Sequence, residues 1–61
     1  MSDFNLVANI MAYESGELDD EAIIVLFQYL VDTGMAWTLQ GSYGRAAIRL
    51  IEAGLVTRKG A

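Results

Sequence analysis

The sequence contains no cysteine, no histidine and no proline. Without cysteine and histidine, neither a disulfide nor an ordinary zinc site can stabilise the chain, and a Ser-His catalytic triad is excluded. The lack of cysteine leaves the redox compartment open, and a cytosolic location is the simpler expectation. Because no low-complexity or linker-like stretch divides the 61 residues, we expect residues 1–61 to form one domain.

Long apolar runs are also missing. The longest, Ala22 to Phe27, has six residues, whereas a membrane span needs about 18–20. The N-terminal segment carries Asp3 and neither lysine nor arginine. We therefore expect neither a membrane span nor a secretory signal.

Positive charge is absent from the first 44 residues, which hold seven of the eight acids. Residues 45–61 hold all four cations and only Glu52, so the two blocks carry charges of −7 and +3. The favoured interpretation is that the basic end folds back on the acidic helices or docks on another subunit. The alternatives are an acidic surface for a basic partner, or a basic tip for phosphate.

A chain of this length buries only about 60% of its unfolded surface, so it is marginally stable alone. Its apolar content of 54% exceeds the roughly 45–50% of ordinary globular chains. With disulfides and zinc excluded, stability must come from unusually good helix packing or from self-association.

Apolar residues recur at helical spacing in three segments. The sequence predicts an all-α fold, a small three-helix bundle that dimerises, with helices at about residues 3–13, 20–33 and 42–53 and a frayed tail at 56–61. Ser2 is the expected N-cap of the first helix, and Ser15-Gly16 ends it. The expected buried stripe of that helix is Phe4, Val7, Ile10 and Met11.

The second helix has the clearest pattern. Asp19 fits an N-cap, with Leu18 and Ile23 placed to pack around it. Val25 and Tyr29 fall on or beside the polar face, so the helix is apolar almost all round and should contact something on two sides. These two residues are the predicted dimer interface. The predicted buried stripe is centred on Ile23, Leu26, Phe27 and Leu30, with Ile24 and Val31 at its edge.

Two glycines are expected to end helices with positive φ. Gly34 would bring Met35 onto Leu30, and Gly54 would bring Leu55 onto Leu50. In the third helix, Gly44 and the alanines indicate close approach of another helix. Its predicted inner residues are Tyr43, Ala47, Leu50 and Ile51, and its predicted outer residues are Arg45, Arg49 and Glu52.

The junction from Asp32 to Arg45 holds the only tryptophan and three of the six glycines. Its candidate partner-binding residues are Trp37, Gln40, Tyr43 and Arg45, which include the types enriched where binding energy concentrates. For Trp37 a core position is favoured over a surface position, and for Gln40 a structural role at the helix junction is favoured. The spacing of Tyr43 equally makes it a core residue.

Candidate chemistry is weak. The cluster Asp19-Asp20-Glu21 is explained by helix capping and the helix dipole rather than by acid–base catalysis. Gly41 to Arg45 could offer backbone N–H groups and a cation to an anion, but the segment lacks the ending of a P-loop. We predict no catalytic residue, no metal site and no cofactor.

Four stretches carry a family resemblance: Gly16-Glu17-Leu18-Asp19, Leu26 to Gly34, Ala36 to Arg45 and Leu50 to Leu55. Together they resemble a family of small tailed-phage proteins, over residues 16–55. The most specific part is the Trp-x-Leu-Gln-Gly-x-Tyr-Gly-Arg core. The resemblance implies a phage origin and a location in the cytoplasm of the infected bacterium, and it supplies no catalytic residues.

We therefore expect a non-enzymatic phage accessory protein that self-associates and binds an unidentified host or phage protein. The alternative is a small nucleic-acid-binding protein like a helix-turn-helix, with Arg45 and Arg49 on its third helix. A net charge of −4, with only four cations, disfavours a strong phosphate contact.

Overall fold

A computed structural model describes residues 5–58 of the chain. In it, α1 (Leu6–Glu14), α2 (Asp20–Thr33) and α3 (Gly41–Glu52) form a bundle, and a 3-10 helix (Met35–Trp37) joins α2 to α3. The described residues contain no strand, and the predicted all-α fold is confirmed. No helix among them is both long enough and apolar enough to cross a membrane.

Side-chain caps fix where the first two helices begin. The Asp19 carboxylate accepts a hydrogen bond from the Ala22 backbone N–H at 2.8 Å, as predicted for α2. In α1 the cap is Asn5, whose side-chain oxygen accepts from the Ala8 N–H at 3.0 Å. The first helix therefore starts later than the predicted residue 3, and the expected cap Ser2 lies outside the described residues.

Glycines in the left-handed conformation end the helices. Gly34 has φ 80° and Gly54 has φ 78°, which confirms the predicted positive φ at both positions. At the end of α3, the Gly54 N–H donates to the Ile51 carbonyl and the Leu55 N–H donates to the Leu50 carbonyl, both at 3.0 Å. This pair of bonds is the Schellman ending that satisfies the last carbonyls of a helix.

The core is centred on α2, which supplies half of the buried residues, and the other elements pack around this helix. None of the buried side chains in the described residues is polar. The predicted inner faces of α2 and α3 are confirmed, although Ile23, Leu50 and Ile51 are only partly buried. The buried residues are Leu26, Phe27, Leu30, Val31, Ala36, Tyr43, Ala47 and Val56.

Of the predicted inner stripe of α1, Ile10 is confirmed as packing against the core, whereas Val7 and Met11 are wrong. Val7 and Met11 are 67% and 65% exposed, and Phe4 lies outside the described residues. The helix instead turns Leu6, Ile10 and Tyr13 toward the core. The reason is aromatic packing: the Tyr13 ring meets Phe27 edge-on, with centroids 5.2 Å apart and planes at 71°, an arrangement favoured by ring quadrupoles.

The tail is packed rather than frayed at its start. Val56 is only 1% exposed, whereas Leu55, which was expected to pack on Leu50, is 52% exposed. The Gln28 side chain accepts from the Thr57 N–H at 2.9 Å and donates to the Thr57 carbonyl at 2.8 Å. The C-terminal end thus folds back on α2, as one interpretation of the charge pattern predicted, and residues 59–61 lie outside the described part.

Candidate functional site

The junction between α2 and α3 is a rigid turn. After Gly34, the Trp37 N–H donates to the Gly34 carbonyl at 3.2 Å. The Thr38 and Leu39 N–H groups both donate to the Met35 carbonyl, at 3.0 and 3.1 Å. Ala36 is fully buried in the middle of this turn. The backbone that carries Trp37 is therefore held by hydrogen bonds and by one buried methyl group.

Trp37 lies at the surface, against the favoured core position. Its side chain remains 40% exposed. One edge of the indole lies on α3, because a Cβ atom at Gly44 would be 3.8 Å from its Cε3 atom. The Arg58 guanidinium carbon is 5.0 Å from the ring centroid, a cation–π distance. The ring is thus fixed between α3 and the tail, with the rest of its surface open to a ligand.

Two other predicted residues are exposed close by. The Arg45 side chain runs back along α3, with Nη1 3.2 Å from where a Cβ atom of Gly41 would lie. Gly41 and Gly44 are neighbours on one side of the helix, so Arg45 and Trp37 cover adjacent parts of it. Gln40 is the N-cap residue of α3, but its side chain makes no capping hydrogen bond. The structural role expected of its amide is therefore not observed.

Tyr43 does not belong to this surface. It is buried, and its ring lies 5.6 Å from Tyr13 and 6.0 Å from Phe27, centroid to centroid. Its hydroxyl donates to Glu14 Oε2 at 2.6 Å, which ties α3 to the end of α1. Burial, and then the hydrogen bond to the carboxylate, raise the pKa of Tyr43 to about 12. Its side chain is consequently a core residue rather than a partner-binding one.

The candidate site is the junction surface, defined as Trp37, Gln40, Arg45 and Arg58. Sequence reasoning missed Arg58, because the tail was expected to be frayed. The signal that could have found it was Val56, an apolar residue two positions after Gly54. Because Val56 is buried, Arg58, two positions later, is held near the bundle.

A second candidate surface lies on the outer side of α2. Val25 and Tyr29, the predicted dimer interface, are both exposed there. They line a shallow groove of about 420 Å³ together with Ile24, Gln28 and Asp32. The groove is mostly apolar, with a carboxylate at one end. Its residues are the ones a second helix would contact.

The acidic cluster before α2 has a structural explanation. Asp19 is engaged as the N-cap, and Asp20 and Glu21 occupy the first turn, where the helix dipole favours negative charge. Among the described residues, no group of three or more carboxylates is arranged to hold a metal ion.

Comparison with known proteins gives one match. A family model described as "Domain of unknown function (DUF7417)" matches residues 1–61. No curated protein and no solved structure matches the chain. Since the family model covers every residue, the chain belongs to the DUF7417 family.

Proposed function

We propose that the protein is a non-enzymatic accessory protein of a tailed phage, and that it binds a host or phage protein through the junction surface. The observation that carries the proposal is Trp37, 40% exposed and stacked under Arg58. The phage origin and the location in the infected bacterium rest on the resemblance of residues 16–55 to small tailed-phage proteins. The proposal includes self-association through the outer face of α2.

The partly exposed ring of Trp37 is suited to anchor a partner protein. Tryptophan and arginine are over-represented among the few residues that carry most binding energy. Because Gly44 and Arg58 already fix the indole, little side-chain entropy is lost when a partner covers it. Arg45 lies on the part of α3 next to the one that Trp37 covers, and Gln40 is exposed three residues after Trp37. They supply a cation and an amide for the polar rim of an interface.

The nucleic-acid alternative receives less support. Arg45 and Arg49 are exposed on α3, as a recognition helix would require. However, residues 34–40 separate α2 from α3 and include a 3-10 helix, whereas a helix-turn-helix has a turn of about 3–4 residues. The net charge of −4 also opposes binding to a polyanion.

The test is capture of a partner from a lysate of infected bacteria, followed by titration of the purified partner. Trp37→Ala and Arg58→Ala should each weaken binding by about tenfold or more. Met11→Ala removes a side chain that is 65% exposed on α1, outside the junction surface, and is the matched control. Circular dichroism checks that each variant is folded.

Normal binding by both junction variants would refute the proposed surface. Equal losses in all three variants, the Met11 control included, would also count against that surface, because the loss would then not depend on the junction residues. A gel-shift assay with duplex DNA, titrated with salt, decides the alternative: a salt-sensitive shift at micromolar protein would favour nucleic acid.

A further inference from the structure

The outward faces of α2 and α3 carry opposite charges around apolar centres. On α2, Glu21, Val25, Gln28 and Asp32 follow one another at intervals of four, three and four residues. That spacing places them on one line along a helix, about 16 Å long. Val25, 53% exposed, is the apolar centre. Carboxylates stand at both ends of the line, and we call it the acidic stripe.

The amide within the acidic stripe is already occupied. Gln28 Nε2 donates to Asp32 Oδ1 at 2.9 Å and to the Thr57 carbonyl at 2.8 Å. Its side-chain oxygen accepts from the Thr57 N–H. The surface left for an occupant is therefore apolar, with negative charge at its ends, and it opens into the groove of about 420 Å³.

The outer face of α3 is the counterpart. Ile48 is 46% exposed, and Arg45 and Arg49 are exposed on either side of it along the chain. Arg45 and Arg49 are one helical turn apart on the same side of α3, and the Arg45 guanidinium group is turned back toward Gly41. We call these three residues the basic face. Glu52, at the C-terminal end of α3, is the only acid in the sequence of this helix.

We propose that the occupant of the acidic stripe is the basic face of a second copy of this chain. This deepens the self-association proposed above and rests on it. Val25 would pack on Ile48 of the other copy, and the arginines would face Glu21 and Asp32. Such a contact joins two different surfaces, so it closes into a dimer or ring, or else continues as a chain of copies.

Charge favours this arrangement over pairing of α2 with α2. The α2 sequence contains no lysine or arginine, so a two-fold pairing would bring four carboxylates together without a cation. Like charges facing each other in an interface are costly, whereas opposite charges attract and set the register. The basic face supplies the missing cations from the same sequence.

The experiment is light scattering of the full chain across concentration and salt. The parent should give at least about twice the 6.7 kDa monomer mass at micromolar concentration. The mass should fall toward the monomer as salt rises from about 0.05 to about 0.5 M, because exposed ion pairs are screened. Val25→Glu should weaken association by about tenfold or more. Val7→Glu, at a position on α1 that is 67% exposed, is the matched control and should not weaken association.

Charge reversal identifies the two faces. Glu21→Arg with Asp32→Arg should weaken association by about tenfold, and so should Arg45→Glu with Arg49→Glu. The chain with all four substitutions should associate within about threefold of the parent, because attraction is restored. Val25→Ala, a milder change that keeps the helix, should cause a smaller loss in the same direction.

The outcomes separate the two proposals. A parent that stays monomeric throughout overturns both the self-association and its assignment to these faces. A parent that associates, but more tightly after Glu21→Gln with Asp32→Asn, shows pairing of α2 with α2, because these neutral substitutions remove the repulsion between facing carboxylates. That result overturns only the assignment. Loss of association in Val7→Glu alone places the interface on α1 and overturns the assignment. If the chain is a monomer and a captured protein binds the acidic stripe, the groove belongs to that partner instead of a second copy.

Discussion

Replacing Tyr43 with Phe tests the contact that joins α1 to α3. The substitution keeps the ring, which packs in the cluster with Tyr13 and Phe27. It deletes only the hydroxyl that donates to Glu14 Oε2 at 2.6 Å. Any change in stability therefore reports on one hydrogen bond and on the small space that its donor leaves.

The expected loss follows from the surroundings of the two groups. A hydrogen bond to a charged group contributes about 1.5–3 kcal/mol to stability. Glu14 is exposed and regains water when the hydroxyl is removed, so we expect about 1–2 kcal/mol for Tyr43→Phe. In a domain of this size such a loss lowers the melting temperature by about 5–15 °C. Tyr13→Phe deletes a hydroxyl from the same ring cluster and is the matched control.

The contact also predicts a dependence on pH. Because the pKa of Tyr43 is raised from 10.0 to about 12 in the folded protein, folding favours the neutral phenol. Its contribution is fully present below pH 10 and is lost as the pH rises toward 12, at up to about 1.4 kcal/mol per pH unit. The Tyr43→Phe variant should lack this decline. The difference in unfolding free energy between the parent and the variant should therefore vanish as the pH rises from 10 to 12.

Urea unfolding followed by circular dichroism, at fixed protein concentration between pH 8 and 12, measures both effects. A double-mutant cycle with Glu14→Ala isolates the pairwise term, which we expect to be about 1 kcal/mol. A Tyr43→Phe variant as stable as the parent, with no coupling to Glu14 and the same alkaline decline, would refute the reasoning.

Three further sets of substitutions test the helix endings and the tail, and the melting temperature of each variant measures the effect. Gly34→Val or Gly54→Val should cost more than about 1 kcal/mol through backbone strain alone, since no described atom lies within 4 Å of the added Cβ; a melting point within a degree or two of the parent would contradict this. Val56→Ala should lower the unfolding free energy by about 2 kcal/mol, whereas Leu55→Ala should change it by no more than about 0.5 kcal/mol. The reverse order would mean that the tail packs differently. Gln28→Ala removes two hydrogen bonds to the tail backbone and should cost about 1–2 kcal/mol, with faster amide exchange after residue 56 as its signature.

Local chemistry made α2 and the helix endings predictable from the sequence. Asp19 could be identified as a cap because its carboxylate serves the first turn of its own helix. Gly34 and Gly54 could be assigned positive φ because such helix endings depend on adjacent residues. The inner faces of α2 and α3 followed from spacing, since charged residues mark the outer side of each helix.

The sequence could not orient α1 or the tail, because both depend on distant residues. In α1, the sets Val7-Ile10-Met11 and Leu6-Ile10-Tyr13 both have helical spacing, and hydropathy favours the wrong one. Tyr13 turns inward because Phe27 and Tyr43 are there to meet it. Spacing along one helix contains no information about such a partner.

The candidate site shows the same limit. Trp37, Gln40 and Arg45 were identified from residue type, and all three are exposed. Arg58 was missed because its position depends on the burial of Val56 beneath the end of α3, a contact that closes only in the folded chain. Tyr43 was the wrong candidate because its role is decided by Glu14, 29 residues earlier.

Stability and association are expected to be linked in this protein. The core of the described residues contains only eight buried side chains, and each of the three helices also presents an exposed apolar residue: Met11, Val25 and Ile48. A surface that is covered only in the associated state stabilises the fold by mass action. If the acidic stripe and the basic face meet, the urea midpoint of the parent must rise with protein concentration. That rise must disappear in Val25→Glu and persist in Val7→Glu, because only Val25 lies in the proposed contact.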